Sequence, residues 1–355
     1  SEEDEDDFGS ESSVDSRDIP HIDRQHMKRE LTQDAKNAHA KDVLLATQLK
    51  EGILPENVFR RRPGYEDTVS LDLSHYGLGD KMGACLGTAL TNYEGLDALV
   101  LKSNRLWKSI PIIVDNMARN LVQLDLSQNN LHGSGFQALT RFFKDSEGNS
   151  MVILDVSSSK LDSSDIINFF NVLRFNVQQG IPVKLRELNI AHNHIRADAC
   201  TAMKDFLLCS GCKLVALEMG WNSLSADGAE TLGEMLKTNT SLHELDLRAN
   251  NIGDLGAQKI AASLAYNKTI KEINLAQNSI SGRACFVFSK VLSEHPKMTK
   301  LDLTANPLGD AGARSLFRTI LRGLRCFVIM RDCVFPVDHK SFDHANPSAQ
   351  SPYAL

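Results

Sequence analysis

Apolar and polar residues alternate along this chain in short bursts, and each burst is followed by an apolar stretch of a different period. The burst reads L-x-L-x-x-N in "LVLKSN" (99–104), "LDLSQN" (124–129), "LNIAHN" (188–193), "LEMGWN" (217–222), "LDLRAN" (245–250), "INLAQN" (273–278) and "LDLTAN" (301–306). Degenerate copies are "LDLSHY" (71–76) and "LDVSSS" (154–159), with a half-copy "VIMRDC" (328–333). The last residues of successive copies are separated by 28, 25, 30, 34, 29, 28, 28, 28 and 27 positions. A sustained period of this length marks a stack of supersecondary units. Alternation predicts a short strand with one buried face. The asparagine predicts a buried side chain that bonds loop backbone groups the stack would otherwise leave unpaired. Gly-containing turns such as "NNIGDLGA" and "NPLGDAGA" come next. Apolar pairs four apart then follow: Leu232/Leu236, Ile260/Leu264, Phe288/Leu292 and Leu316/Ile320. That spacing predicts a helix with one face turned to the strand. One unit cannot bury its apolar face alone, so the units must stack into a solenoid.

On these motifs, over 66–335, the chain resembles leucine-rich-repeat proteins of the ribonuclease-inhibitor-like, long-repeat class. The resemblance implies an α/β horseshoe with parallel strands on the concave face and helices on the convex face. The asparagine is missing at Tyr76 and Ser159, and the 34-residue spacing carries "RFNVQQGIPVK" (174–184), which reads as an enlarged loop. The flanks differ in character. Residues 1–33 read as an acidic, disordered tail and 34–65 as an N-terminal capping helix and linker. The helix covers 34–51, with Asp34 as N-cap and Gly52 as stop; "FRRRPG" (59–64) falls in the linker. Residues 336–355 read as an irregular C-terminal cap. The chain opens without Met and stops at Tyr353-Ala354-Leu355, which resembles a strand beginning, so a fragment of a longer protein is expected.

Composition changes this picture little. A 42% apolar share over 355 residues is that of a globular protein. No apolar run reaches the ~18 residues of a membrane span, and no signal peptide is visible. The net charge of −6 is carried by the tail, where residues 1–18 hold nine acids against one arginine. Three consecutive arginines without interleaved aromatics do not make a nucleic-acid patch. Seven cysteines, an odd number, argue against a disulfide framework. Cys200 and Cys285 stand where other repeats place Ala229, Ala257 and Ala313, so they read as buried core residues. The C-x-x-C at Cys209 and Cys212 lacks both a redox context and a second ligand pair, so neither metal nor cofactor is expected.

In such a horseshoe the residues between and beside the L-x-L leucines face the concave side. The middle position reads Asp72, Val100, Asp125, Asp155, Asn189, Glu218, Asp246, Asn274 and Asp302; Glu187, Glu244 and Glu272 stand before the first leucine. This acidic ladder has two readings. One is the common spelling of the repeat. The other is a concave wall of one sign that attracts a partner with a basic surface. Trp221 stands just before Asn222, where sister repeats hold His192, Ala249, Gln277 and Ala305. Its readings are a binding anchor, since Trp and Arg dominate hot spots, or a ring lying flat over aliphatic neighbours. The resemblance supports the first, because relatives of this type hold ligands with aromatic and acidic side chains on that face. The candidate partner-binding set is Glu187, His192, Glu218, Trp221, Glu244, Asp246, Arg248 and Glu272, with Arg248 expected beside Trp221. Trp107 reads as turn packing. No P-loop, G-x-S-x-G or H-E-x-x-H motif occurs, and "HNH" at 192–194 is repeat spelling. The expectation is a non-enzymatic protein-binding scaffold, cytoplasmic, within a cytoskeletal or axonemal (ciliary) assembly. It binds neither nucleic acid nor membrane. Alternatives are an intracellular inhibitor, or a GTPase-activating protein resembling the Ran-specific activators, whose acidic tail follows the repeats instead of preceding them.

Overall fold

The computed structural model describes residues 59–62 and 65–333, apart from 92, 94, 145–148 and 324, together with Gln48. The proposed tail (1–33), the bulk of the capping helix and the C-terminal cap (336–355) lie outside the described residues. Strand and helix alternate along the described chain. The order is β1 (Phe59–Arg62), β2 (Tyr65–Asp72), α1 (Gly79–Leu90), β3 (Ala98–Val100), α2 (Ile110–Asn116), β4 (Gln123–Asp125), α3 (Ser134–Lys144) and β5 (Ile153–Asp155). Next come α4 (Ser163–Gln178), β6 (Glu187–Asn189), α5 (Ala199–Leu207), β7 (Ala216–Glu218), α6 (Ser225–Thr238) and β8 (Glu244–Asp246). The last are α7 (Gly253–Leu264), β9 (Glu272–Asn274), α8 (Gly282–Leu292), β10 (Lys300–Asp302), α9 (Gly309–Leu321) and β11 (Phe327–Ile329).

All eleven strands form one sheet in chain order, and β2 through β11 are parallel with no register slip. The central leucines Leu71, Leu99, Leu124, Leu154, Leu188, Leu217, Leu245 and Leu301, with Ile273, pair in that register and are at most 2% exposed. The helix pairs Leu232/Leu236, Ile260/Leu264 and Phe288/Leu292 are buried against them. Two expectations are corrected. The segment 59–62, taken as linker, is strand β1, and it pairs antiparallel with β2 (Phe59↔Leu71, Arg60↔Ser70). A β-hairpin therefore opens a sheet that is otherwise parallel. The supposed loop 174–184 is helix through Gln178: the extra residues of the long repeat lengthen α4 to 16 residues. Phe169 and Phe170 on α4 fill the added space, with ring centroids 5.4 Å (Phe136), 5.2 Å (Phe143) and 5.7 Å (Phe206) from neighbours on α3 and α5. Asn176 donates to the Phe143 carbonyl at 2.7 Å and anchors the helix end.

The asparagines form a ladder that couples the repeats. Asn250 Nδ2 donates to the carbonyls of Leu247 and Arg248 in its own turn and to Met219 in the preceding repeat, at 2.9–3.1 Å. Its Oδ1 accepts the Leu224 amide, and its carbonyl accepts the Ser225 amide at 3.0 Å. These are entry amides of α6, which lacks a side-chain cap of its own. First-turn amides have no intrahelical acceptor, so each asparagine supplies what the helix of the preceding repeat needs. Asn278 does the same for Ile252 and Gly253. Ser159 keeps a thinner rung, its hydroxyl reaching Leu126 and Ser157 carbonyls at 3.4 and 3.1 Å. The residue before each motif end is left-handed in all ten copies, from His75 (φ 62°) to Asp332 (φ 52°). The degenerate copies therefore keep the turn even where they lose the asparagine.

Candidate functional site

Two rows of side chains cross the sheet on its outward face, one through Glu187, Ala216, Glu244, Glu272 and Lys300, the other through Asn189, Glu218, Asp246, Asn274 and Asp302. The second row is the acidic ladder, and its chemistry is mostly local. Asp72, Asp125, Asp155, Asn189, Asp246, Asn274 and Asp302 each use Oδ1 to accept the backbone amide two residues on, at 2.8–3.0 Å. Asp and Asn close such turns equally well because the amide needs only a short-chain oxygen. The row therefore repeats a turn device more than a charge.

Glu218 departs from that device. It is a methylene longer, and no described hydrogen bond uses its carboxylate. It stays open to solvent, but the concave wall crowds it. Partial desolvation first, then the carboxylates of Asp246 and Asp155, push its pKa above the ordinary value. Asp155 is raised as well, by burial first and then by Asp125 against its two Ser157 hydrogen bonds. Ala216, between Glu187 and Glu244, leaves a floor with no long side chain. Two hollows meet there. One of about 380 Å³ is lined by Glu218, Glu244, Asp246, Arg248, Glu272 and Lys300 among others. The other, of about 260 Å³, is lined by Asp155, Glu187, Glu218 and Glu244.

Trp221 sits in the left-handed turn slot (φ 58°), 45% exposed, and stacks on His192 with ring centroids 5.1 Å apart and planes 11° from parallel. His192 holds the same slot one repeat earlier (φ 54°). The equivalent slots stack in register, so two aromatic residues placed in consecutive repeats meet face to face.

Arg248 is beside Trp221 along the backbone, its carbonyl accepting the Trp221 amide at 2.8 Å. The slot that matches Trp221 is Ala249, and Arg248 matches Gly220. Its guanidinium is held by Asp246, Nε and the terminal nitrogen reaching Oδ2 at 2.8 and 2.7 Å. Its stem covers Gly220, where an added Cβ would come 2.8 Å from Arg248 Cγ. Arg248 therefore closes over Gly220 with its charge held by Asp246. Glu272 pairs with Lys300 at 3.2 Å. Glu187 and Glu244 are exposed and in no described ion pair. The set thus separates into a stacked aromatic pair, three free carboxylates (Glu187, Glu218 and Glu244) and two neutralised ones (Asp246 and Glu272). Sequence reading missed Ala216, Gly220 and Lys300. The first two were visible as small residues where sister repeats carry larger ones.

Elsewhere, His132, Asp162 and Asp165 bring ligand-type atoms within 4.8 Å of one another. Asp162 and Asp165 form the capping box of α4, and His132 Nδ1 lies 2.9 Å from Asp165, so helix capping accounts for the group. Cys209 and Cys212 share a turn, the Cys212 amide donating to the Cys209 carbonyl at 3.0 Å. Cys200 and Cys285 are fully buried, and burial pushes both thiols up to about 12. Trp107 is not packed into its turn as expected. Its ring is 47% exposed, with Lys108 Nζ 5.2 Å from the centroid. No helix of the described residues is long and apolar enough to cross a membrane.

In-register strands, buried asparagines and outer helices define a leucine-rich-repeat solenoid. The family model described as Leucine Rich repeat matches 118–139, 183–203, 238–261 and 294–317. Its repeats are leucine-rich repeats, and the chain is similar to proteins of the ribonuclease-inhibitor-like, long-repeat class. It is 26% identical over 199 residues to the ribonuclease inhibitor of Mus musculus, covering 56% of this chain and 42% of that protein. It thus spans under half the length of the curated relative it matches. A solved structure titled "Leiomodin-1 Actin-Binding Site 2 (ABS2)" aligns with a TM-score of 0.38 at 16% identity, over 54% of this chain and 98% of that one. Proteins of these families are typically binding proteins and not enzymes.

Proposed function

We propose that this horseshoe is a non-enzymatic protein-binding scaffold that takes its partner on the concave face, with Trp221 as the anchor. The observation that carries this is the half-exposed Trp221–His192 stack. The same left-handed slot is filled by Ala249 and Ala305 in sister repeats, so the turn itself does not need an indole. Exposed aromatic rings at a concave edge are the side chains that binding interfaces use most. On the same sheet face, Glu187, Glu218 and Glu244 present carboxylates in no described ion pair, which fits a basic protein surface. The same charge opposes a phosphate backbone, and the reading includes neither nucleic acid nor membrane. The setting we infer from the resemblance is a cytoplasmic, cytoskeletal or ciliary assembly. An inhibitor that covers another protein's working surface is the second reading, favoured by similarity to the mouse ribonuclease inhibitor.

The test is affinity capture with the wild-type chain and with Trp221→Ala, then calorimetry on the partner that differs. Trp221→Ala reproduces what Ala249 already is, so folding should lose only the stacking, about 1 kcal/mol. Binding should weaken by roughly 2 kcal/mol or more, about thirtyfold in Kd. A variant that keeps every partner at wild-type affinity would sink the proposal.

A further inference from the structure

A second surface lies on the helical layer, remote in character from the acidic concave wall. A hollow of about 650 Å³ opens along the seam between α8 and α9, at their C-terminal ends. It exists because the seam is built from small residues. Ala311, Ser315 and Thr319, four apart on α9, face Ser289 on α8, and the Ser315 hydroxyl donates to the Ser289 hydroxyl at 2.9 Å. Two small side chains meeting across a helix pair leave a trough where longer ones would fill it.

The walls carry one sign of charge. Lys290 comes from α8, Arg318 and then Arg322 from the end of α9, and Arg325 from the segment leading into β11. All four are exposed. Among the described residues no carboxylate lines the hollow, and none of the four forms an ion pair with another described residue. Basic residues near a helix C-terminus offset its dipole, which accounts for Arg318 or Lys290 singly. It does not account for four cations from three segments converging on one trough. The trough also has an apolar contact: Phe286, one turn before Lys290, is 52% exposed on its wall. An exposed phenylalanine among unpaired guanidinium groups is a pairing that interfaces favour, and arginine is suited to carboxylates through its fork of donors.

We propose that the α8–α9 seam is a docking surface for an acidic segment of a protein partner, one that sets carboxylates against Arg318, Arg322 and Arg325 and an apolar side chain against Phe286. Its charge is opposite to that of Glu187, Glu218 and Glu244, so it selects a different partner from the concave face. The scaffold then joins two proteins, one basic and one acidic. This inference does not depend on the concave reading.

The experiment uses the full 355-residue chain and a fluorescent synthetic peptide of glutamates surrounding one phenylalanine. Anisotropy is read at about 50 mM and about 200 mM salt, a range over which unscreened charge pairing weakens clearly. The expected result is saturable binding that falls with salt. It should drop about tenfold or more in Arg318→Glu/Arg322→Glu, fall again in Phe286→Ser, and stay unchanged in Trp221→Ala. If the double variant melts early, Arg325→Glu, outside the helices, replaces it. The proposal is overturned by no binding at the lower salt, or by equal binding in the charge-reversed chain. It is also overturned if Trp221→Ala abolishes binding, if a single-stranded RNA oligomer binds in preference to the peptide, or if sedimentation shows that the reversal dissolves a dimer of this chain.

Discussion

Replacing Asn250 tests whether the ladder holds the repeats together through donated hydrogen bonds or merely fills space. The side chain is fully buried and makes four hydrogen bonds, three donated and one accepted. Counting each as lost would overstate the effect of Asn250→Ala, because its acceptors have second partners. Met219 O also accepts Asn222 Nδ2 at 3.0 Å, Leu247 O accepts Asn278 Nδ2 at 2.8 Å, and Arg248 O accepts the Trp221 amide at 2.8 Å. Only the Leu224 amide loses a side-chain acceptor outright, and its bond is long at 3.4 Å. The alanine variant should therefore lose about 2–3 kcal/mol, from one orphaned amide, weakened carbonyl pairing and a small cavity. Asn250→Asp is nearly isosteric yet should be worse. It places a carboxylate oxygen against three carbonyl oxygens in a fully buried site, and an uncompensated buried charge costs about 3–5 kcal/mol. The aspartate relieves this by staying protonated, so its folded pKa lies above the unfolded one. The penalty is then full above that raised value, shrinks as pH falls from it toward the unfolded value, and is gone below both. Thermal melts at about pH 7 and about pH 4.5 give the readout, at roughly 2 °C per kcal/mol for a domain of this size. An aspartate variant at least as stable as the alanine at neutral pH, with no recovery in acid, would refute the donor ladder.

Three further outcomes follow from the same geometry. Gly312→Ala should destabilise by about 1–2 kcal/mol although alanine suits helices better, because its Cβ would come 2.5 Å from Gly282 Cα, a backbone atom that cannot step aside; a higher melting temperature would contradict this. Cys200 and Cys285 should resist alkylation in the folded chain while the more open Cys209 labels first, as mass spectrometry of timed quenches would show. Burial and acidic neighbours hold Glu218 above its ordinary pKa, so the folded chain binds its proton more tightly than the unfolded one and stability falls as pH rises through that range. Glu218→Gln removes this dependence and should gain on the wild type between about pH 4 and about pH 7; parallel curves would exclude it.

Much of the fold was legible because the repeat reports on itself. A position read in one copy is checked by the others, and the register is even from Leu71 to Leu301. Legibility failed where a residue's role depends on a neighbour from another element. The run at 59–62 looks like a charged linker, since its strand state is conferred by pairing with β2. The longest repeat read as a loop because its extra residues break the regular spacing, whereas its phenylalanines packed between α3 and α5 and drew the helix out to Gln178. The site divides in the same way. Trp221 stood out as a departure from its sisters, and the structure puts it at the surface. The acidic ladder stayed open between two readings because Asp and Asn serve one turn, a local bond that composition cannot separate from a binding charge. Arg248 was expected beside Trp221, but its engagement with Asp246 and Gly220 depends on geometry across two strands.

The left-handed slot before each motif end has a further meaning. A non-glycine residue there carries a conformational penalty of about 1–2 kcal/mol, and the chain bears it ten times over, with His, Ser, Gln, Trp, Ala and Asp alike. Because residues as unlike as Ser, Gln, Trp and Ala all occupy it, exchanging one unbranched side chain for another should change the fold's energy little. The slots form a row of ten interchangeable teeth along the rim of the sheet, set one strand spacing, about 4.8 Å, apart. What the rim recognises can be rewritten one tooth at a time without renegotiating the scaffold, and His192 beside Trp221 is the place in this chain where two neighbouring teeth have been cut to meet.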